Sequence, residues 1–351
     1  MRRRRGSFFV AFVFWMAAVV IPAVLPAAAD PSASGIPLLS SGVALAAPKG
    51  QLRLYTSQPD ADAQKTAAAF EALYPGVEVI IFRSGTEEVV SRFLLEAEAG
   101  APQADVLLIA DAPTFEILKS RGMLESYRSP QADDIDPAYY DPDFTYYGTK
   151  IMATVIAYNT LLARPLESWN DLKSLRPGQV AMPDPNYSGA AAYNLGVFTR
   201  TPGIGWEWYE ALRQGRVLMT QGNGAVLRAV ASGERPYGII VEYLAIRAKQ
   251  DGSPVDIVYP KEGVPVITEP VGIVKGTKNL EAAQAFVDFL LSREGQALAA
   301  EMGYMPLRHD VEPPAGFPPL SDIRALSVDT GVLVAEREND KERFNELFGE
   351  W

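Results

Sequence analysis

Apolar and polar positions alternate in short segments that switch repeatedly between two periods. Residues 51–57 (QLRLYTS) alternate with a period of two, which is typical of a strand. Residues 60–75 place their apolar side chains at helical spacing, and the same change of period recurs through residue 122. Residues 104–110 (ADVLLIA) are almost entirely apolar, as in the middle of a parallel sheet. The alternation predicts an α/β fold with a mainly parallel sheet.

Two longer strand patterns, at residues 149–159 and 266–275, enclose a segment in which strands and helices alternate again. This arrangement predicts two α/β domains that are joined by two crossover strands and have a ligand cleft between them. The predicted limits are 48–154 with 270–310 for the first domain, 155–269 for the second domain, and 311–351 for a C-terminal helical extension.

A run of small residues, Ser188, Gly189 and Ala190, stands where a strand pattern gives way to a helix pattern. The start of a helix presents free N–H groups and a partial positive charge, so these residues are candidates for an anion site. A plain serine cap of the helix explains the same letters. Both interpretations stay open at this point.

A second strand-to-helix junction carries Arg83, Ser84, Gly85 and Thr86. Its hydroxyl and N–H donors are a second candidate for binding an anion. Ser84 and Glu87 also match a capping box, which accounts for them as an ordinary helix start.

The first residues have the layout of a secretory signal peptide. Arg2–Arg5 precede a long apolar run that ends in small residues. Cleavage is expected near Ala29 or near Ala47, and we assign residues 1–47 to the signal. An uncleaved membrane anchor is the alternative, because the run is about long enough to span a bilayer. The chain has no cysteine, so a lipid anchor on cysteine is excluded and the protein is expected to be exported, to the periplasm or outside the cell.

Composition removes several classes of function. Without cysteine there are no disulfides and no thiolate ligands, and a single histidine, His309, excludes multi-histidine metal sites and most Ser-His-Asp machinery. Removing the four arginines and one aspartate of residues 1–47 leaves 28 basic and 42 acidic residues, a formal charge of −14. Such a surface does not suit nucleic acid.

Paired carboxylates at Glu87–Glu88 and Asp133–Asp134 raise the alternative of a secreted hydrolase. The first pair belongs to a helix start and the second to an acidic loop. The chain also lacks GxSxG, HExxH, Walker and dinucleotide-binding motifs. We therefore predict a protein that binds and does not catalyse.

The order of several segments resembles a known family. These segments include 52–79 (LRLYTSQPDADAQKTAAAFEALYPGVEV), 155–160 (VIAYNT), 271–299 (VGIVKGTKNLEAAQAFVDFLLSREGQALA) and 303–308 (GYMPLR). Over residues 51–310 the chain resembles family 1 of the extracellular solute-binding proteins of ABC importers. It looks most like the branch with ferric-ion-, phosphonate- and sugar-phosphate-binding proteins. The resemblance implies a type II periplasmic-binding-protein fold, a monomer, and permease and ATPase subunits as partners.

The resemblance also implies ligand-binding residues. In the ferric branch a Ser-Gly-Ala matching residues 188–190 holds an anion, and the asparagine that contacts this anion corresponds to Asn223. Phosphonate-binding relatives carry a small, hydroxyl-rich turn like residues 84–86. Both matches favour an anion in the cleft.

The metal ligands of the ferric branch are matched only in part. Its two adjacent tyrosines correspond to Glu242 and Tyr243, and Pro59 stands where a histidine is common. Asp111, at the end of a strand, is a candidate ligand or hydrogen-bond acceptor. Carboxylate and phenol oxygens suit Fe³⁺.

We therefore predict a small anionic ligand, a phosphonate or a phosphorylated organic compound, and no cofactor. In this interpretation Glu242 and Tyr243 would accept hydrogen bonds from sugar hydroxyls or pair with an amine. The alternative is Fe³⁺ held with phosphate or carbonate, with Glu242 and Tyr243 as metal ligands.

Overall fold

The computed structural model describes residues 48–349, and the predicted signal peptide lies outside them. The strands are β1 (Gly50–Thr56), β2 (Val77–Arg83), β3 (Val106–Leu108), β4 (Tyr147–Asn159), β5 (Val180–Pro183), β6 (Leu218–Thr220), β7 (Tyr237–Val241), β8 (Val255–Val258), β9 (Val264–Ile273) and β10 (Ala325–Leu326). The α-helices are α1 (Asp60–Leu73), α2 (Thr86–Glu98), α3 (Ala112–Ser120), α4 (Gly189–Arg200), α5 (Gly205–Gln214), α6 (Asn223–Ala231), α7 (Glu242–Gln250), α8 (Leu280–Leu291), α9 (Arg293–Glu301) and α10 (Thr330–Phe348). None of the helices between residues 48 and 349 is both long enough and apolar enough to cross a membrane.

The strands form one mixed sheet in the order β2-β1-β3-β9-β4-β7-β5-β6, with β8 paired to β4 and β10 to β9. Strands β2, β1 and β3 are parallel, and so are β7, β5 and β6. We call the part built on β1–β3 with α1–α3, α8 and α9 the first lobe, and the part built on β5–β7 with α4–α7 the second lobe. The two lobes meet at β4 and β9, which confirms the predicted α/β fold with two crossover strands.

The crossover strands β4 and β9 run antiparallel to each other from one lobe into the other. Their register shifts between Gly148 and Ile151, which interrupts the regular ladder of backbone bonds. Side chains satisfy the backbone there. Gln296 Nε2 donates to the carbonyl of Thr149 at 2.7 Å, and Thr149 Oγ1 donates to the carbonyl of Glu269 at 2.6 Å.

Each lobe has its own hydrophobic core. In the first lobe, Phe70 and Phe286 pack edge to face at a centroid distance of 5.0 Å. In the second lobe, Trp169, Phe198 and Trp208 form a fully buried aromatic cluster. Each lobe thus buries enough apolar side chains to form a core of its own. The domain limits given above remain predictions.

Two local predictions from the sequence differ from the structure. The apolar spacing of residues 166–175 (LESWNDLKSL) predicts an α-helix, but the structure has only a 3₁₀-helix there, Trp169–Ser174. The three-residue strand β6 was not predicted, since three residues are too few to show a period.

Candidate functional site

A cavity of about 440 Å³ lies between the two lobes and is lined by residues of both. Met152 of β4 and Glu269 of β9 line it on the side of the crossover strands. A cleft between domains is the usual place for a small-molecule ligand.

Five helices begin at this cavity: α1 and α2 from the first lobe, and α4, α6 and α7 from the second. Strands β1, β2, β5, β6 and β7 lead directly into these helices, so the helix starts gather at the carboxyl ends of the strands. The first N–H groups of a helix have no acceptor inside the helix and carry a partial positive charge. Their convergence makes the cavity favourable for an anion.

Ser188 and Asn223 form the second-lobe wall. Ser188 caps α4, and its Oγ accepts hydrogen bonds from the N–H of Ala191 at 3.3 Å and from Asn223 Nδ2 at 3.4 Å. Asn223 Oδ1 accepts from the N–H of Val241 at 3.1 Å. A hydroxyl has two lone pairs and one proton, so with both lone pairs used Ser188 has only its O–H left to donate. The serine is a helix cap and also a cavity-lining donor.

The first-lobe wall contains Gly85 and Thr86, but Ser84 does not line the cavity. The predicted capping box is wrong: Ser84 donates to the carboxylate of Glu88, and Gly85 caps α2 without a side chain. The carboxylate of Glu87 is held by cations of α10, so it is not available to Ser84.

Two glycines allow the walls to touch. A Cβ on Gly189 would lie 2.5 Å from the carbonyl oxygen of Ala110 and 2.8 Å from Thr86 Oγ1, across the cavity. A Cβ on Gly85 would lie 2.6 Å from the carbonyl oxygen of Tyr187. The lobes are therefore closed on each other, and any larger side chain at these positions would force them apart.

Two arginines line the cavity from opposite lobes, Arg83 and Arg228. Arg83 Nε donates to the carbonyl of Gln58 at 2.8 Å, and between residues 48 and 349 neither guanidinium forms an ion pair. Arg228 was not predicted. Its spacing was the available signal: Arg228 follows the cavity-lining Gly224 by four residues, which places both on the same side of α6.

Two acidic residues also line the cavity, Asp60 and Glu269. Glu269 is buried, forms an ion pair with Lys150 and accepts a hydrogen bond from Gln58 Nε2 at 3.0 Å. Its charge is thus compensated within the protein, and its free lone pairs remain acceptors for hydroxyl or ammonium groups.

Asp111 does not line the cavity. It is completely buried, caps α3 by accepting from the N–H of Thr114 at 2.9 Å, and accepts from Arg337 Nη1 at 3.0 Å. The structure therefore gives this carboxylate a protein partner in α10 in place of the predicted ligand.

Glu242 is also turned away from the cavity. It is 1 % exposed and accepts a hydrogen bond from the backbone N–H of Ala153 in β4. Burial raises the pKa of this carboxyl to about 8, so that it is neutral below that pH. Because Glu242 does not line the cavity and its carboxyl is held by the backbone of β4, it does not take the predicted role of pairing with an amine or binding a metal in the cleft.

Tyr243 lines the cavity, as expected. Its ring packs against that of Tyr304 at a centroid distance of 4.3 Å, with the guanidinium of Arg247 4.7 Å from both rings. Burial raises the pKa of the Tyr243 phenol above its usual range, which disfavours a phenolate. Within residues 48–349, no three or more His, Cys, Asp or Glu side chains are grouped to hold a metal ion.

Residues 52–305 match the family described as bacterial extracellular solute-binding protein. A probable ABC transporter periplasmic-binding protein of Sinorhizobium fredii is 26% identical over 311 residues, covering 85% of this chain and 80% of the relative. Iron uptake protein A2 of Synechocystis sp. is 26% identical over 259 residues, covering 66% of this chain and 72% of the relative.

A solved structure shares the fold. The periplasmic binding protein AfuA of Actinobacillus pleuropneumoniae, with exogenous fructose-6-phosphate bound, matches with a TM-score of 0.79 and 27% identity. The match covers 86% of this chain and 99% of AfuA. The predicted two-domain periplasmic-binding-protein fold is thereby confirmed.

Proposed function

The chain belongs to the family of bacterial extracellular solute-binding proteins, and from this premise we propose that its cleft captures a small organic molecule bearing a phosphate or phosphonate group. The protein is a periplasmic solute-binding component of an ABC importer. Such components deliver their ligand to permease and ATPase subunits, and the family is one of transport proteins.

The convergence of five helix starts on one cavity carries the proposal. Helix N-termini bind phosphate through backbone N–H groups. Ser188 adds a hydroxyl donor on the second-lobe side, and Arg83 and Arg228 add a guanidinium from each lobe. A phosphoryl group in the cavity would have donors available from both walls.

The rest of the cavity supports an organic ligand over a bare inorganic ion. A volume of about 440 Å³ falls within the range of about 300–1,000 Å³ that is typical of sites for small organic ligands. Asp60 and Glu269 supply acceptors that the phosphoryl group itself cannot use. They suit the hydroxyls of a sugar phosphate or the ammonium of an aminoalkylphosphonate. Asp60 and Glu269 thus take the role of hydroxyl or ammonium acceptor that was predicted for Glu242 and Tyr243.

The likeness to an iron uptake protein keeps Fe³⁺ with a carbonate or phosphate anion as the second candidate. The position of Glu242 outside the cavity counts against it. Fe³⁺ bound through the Tyr243 phenolate would give a visible charge-transfer colour.

A ligand panel tests the proposal on the chain without its signal peptide. Thermal unfolding would be followed with fructose-6-phosphate, glucose-6-phosphate, aminoethylphosphonate, inorganic phosphate, and Fe³⁺ with carbonate. A ligand that binds only the folded state raises the melting temperature by mass action. We expect an organophosphate or a phosphonate to give the largest rise. A rise with ferric carbonate alone, with charge-transfer colour, would refute the proposal.

Two serines that cap helices allow an effect on ligand binding to be distinguished from an effect on stability. Ser188→Ala removes the cap of α4 and a cavity donor. Ser292→Ala removes the cap of α9, where Ser292 Oγ accepts from the N–H of Gly295 at 3.1 Å, and a hydrogen bond to the carbonyl of Phe289 at 2.8 Å, but Ser292 does not line the cavity. Each loss of a cap costs about 1 kcal/mol of stability. Only Ser188→Ala should also weaken the organophosphate, roughly tenfold or more in Kd, because a hydrogen bond to a charged group is lost. Equal Kd values in the two variants would contradict the anion site.

A further inference from the structure

Helix α10 is fastened to the second lobe. Phe344 is completely buried in the second-lobe core, with its ring edge-on to that of Tyr209 at a centroid distance of 5.9 Å. Asp340 accepts hydrogen bonds from the guanidinium of Arg200 in α4 at 2.5 and 3.2 Å. These contacts hold α10 in place without any group of the first lobe.

The same helix also reaches the first lobe. Arg337, 7 % exposed, donates through Nη1 to Asp111 Oδ2 at 3.0 Å and through Nη2 to Glu87 Oε1 at 2.7 Å. Lys341 Nζ donates to Glu87 Oε2 at 2.9 Å. Glu87 lies in the first turn of α2 and Asp111 caps α3, so the contacts end on two helix starts of the first lobe.

We propose that Arg337, Lys341, Glu87 and Asp111 form a latch that holds the lobes together and sets how long a ligand stays bound. Opening the cleft moves the first lobe away from α10, so a forked guanidinium must leave two carboxylates. Opening must therefore exchange two charge-assisted hydrogen bonds of the Arg337 guanidinium, to Asp111 and to Glu87, for hydrogen bonds to water. The latch therefore favours the closed arrangement.

The latch also sets the charge of the ligand-binding wall. Glu87 directly follows Thr86, which lines the cavity. A free carboxylate at this position would repel an anionic ligand, and Arg337 and Lys341 neutralise it. The pKa of the Glu87 carboxyl is lowered by these two cations against the effect of its burial. Arg337 does not line the cavity, so it acts as a positioning residue. Its effect on ligand retention rests on the proposed function, but its effect on closure does not.

The test measures the distance between the lobes directly. The natural chain has no cysteine, so Glu98→Cys on α2 and Glu210→Cys on α5 would carry the only two spin labels. Both side chains are exposed and make no hydrogen bond or ion pair within residues 48–349. Electron–electron double resonance would give the distribution of distances between the two spin labels, with and without fructose-6-phosphate or aminoethylphosphonate. Stopped-flow fluorescence would give the rates of association and release.

Arg337→Gln should move the ligand-free population towards longer distances and speed release roughly tenfold or more, with little change in association, because breaking a buried charged pair acts mainly on dissociation. Arg337→Lys should lie between the natural chain and Arg337→Gln, since a lysine keeps the charge but not the fork. Arg343→Gln is the matched control. Arg343 lies on the same helix, exposed, with its guanidinium 4.3 Å from the ring centroid of Trp206 in the second lobe.

Circular dichroism would confirm that each variant is folded, and Lys341→Gln replaces Arg337→Gln if the latter is not. Distance distributions of Arg337→Gln and Lys341→Gln that match that of Arg343→Gln would overturn the latch. Longer distances with unchanged release would overturn its role in retention. If neither probe binds the natural chain, the proposed function fails, while the distances without ligand still decide whether the latch exists.

Discussion

Glu242 should make the stability of this protein fall as the pH rises. Its carboxyl is 1 % exposed, and within residues 48–349 it has no cation as a partner. Burial raises its pKa from 4.5 to about 8. Glu242→Gln is the sharpest perturbation, because a glutamine is always neutral, has nearly the same shape, and keeps an oxygen that can accept from the N–H of Ala153.

Stability falls with rising pH because the folded chain holds the proton of Glu242 more tightly than the unfolded chain does. Below pH 4.5 the carboxyl of Glu242 is protonated in the folded and the unfolded chain, so its full contribution to stability is present. Between pH 4.5 and about 8 the unfolded chain ionises while the folded chain holds the proton, and the free energy of unfolding falls. Each pH unit is worth up to about 1.4 kcal/mol. From about pH 5 to about pH 7 the natural chain should therefore lose about 2–3 kcal/mol relative to Glu242→Gln.

The free energies of unfolding of the natural chain and of Glu242→Gln are measured by urea denaturation at several pH values between about 5 and 8. Tryptophan fluorescence follows the unfolding. Contributions of all other carboxyls cancel in the difference between the chains. Glu98→Gln, an exposed position on α2, serves as a control that should follow the natural chain at every pH. A constant difference between Glu242→Gln and the natural chain would refute the reasoning.

Three further substitutions test the cavity walls, a core and a buried pair. Gly189→Val should hold the lobes apart, because its Cβ would lie 2.5 Å from the carbonyl of Ala110; a larger radius of gyration in X-ray scattering and loss of organophosphate binding are expected, and unchanged affinity would contradict this. Phe344→Ala should lower the free energy of unfolding by about 3–5 kcal/mol, since this fully buried ring leaves a cavity; a loss below about 1 kcal/mol in urea denaturation would argue against its core role. Glu269→Gln should strongly destabilise the chain by leaving Lys150 buried without a carboxylate, and adding Lys150→Met should restore much of the loss; equal melting temperatures of the single and double variants would contradict the ion pair.

Features that depend on neighbouring residues could be predicted from the sequence. Strand β1 and helix α1 show their periods within a few residues, and Ser188 stands at a strand-to-helix junction that is visible in the letters. The meeting of β4 and β9 followed from two long strand patterns that bracket a second α/β unit. Such signals need no knowledge of distant contacts.

Features that depend on distant residues could not be predicted. The local pattern pairs Glu87 with Ser84 in a capping box, but the carboxylate of Glu87 is held by Arg337, 250 residues further along the chain. Asp111 looked like a ligand because it ends a strand, yet the same arginine occupies it. Glu242 was placed in the cleft by resemblance. Its actual partner is the backbone of β4, and nothing near it in the sequence indicates this.

The two crossover strands have a mechanical consequence. A single connecting strand would let one lobe both swing and twist about it, whereas two hydrogen-bonded strands side by side resist the twist. At the shift of register between Gly148 and Ile151, hydrogen bonds of the Thr149 and Gln296 side chains replace ladder bonds, so the two strands stay tied where their ladder is interrupted. The two lobes can then rotate relative to each other about one preferred axis. Every closure of the cleft would bring Gly85 and Gly189 back to the same opposing backbone atoms. Each ligand therefore meets the same cavity geometry whenever the lobes close.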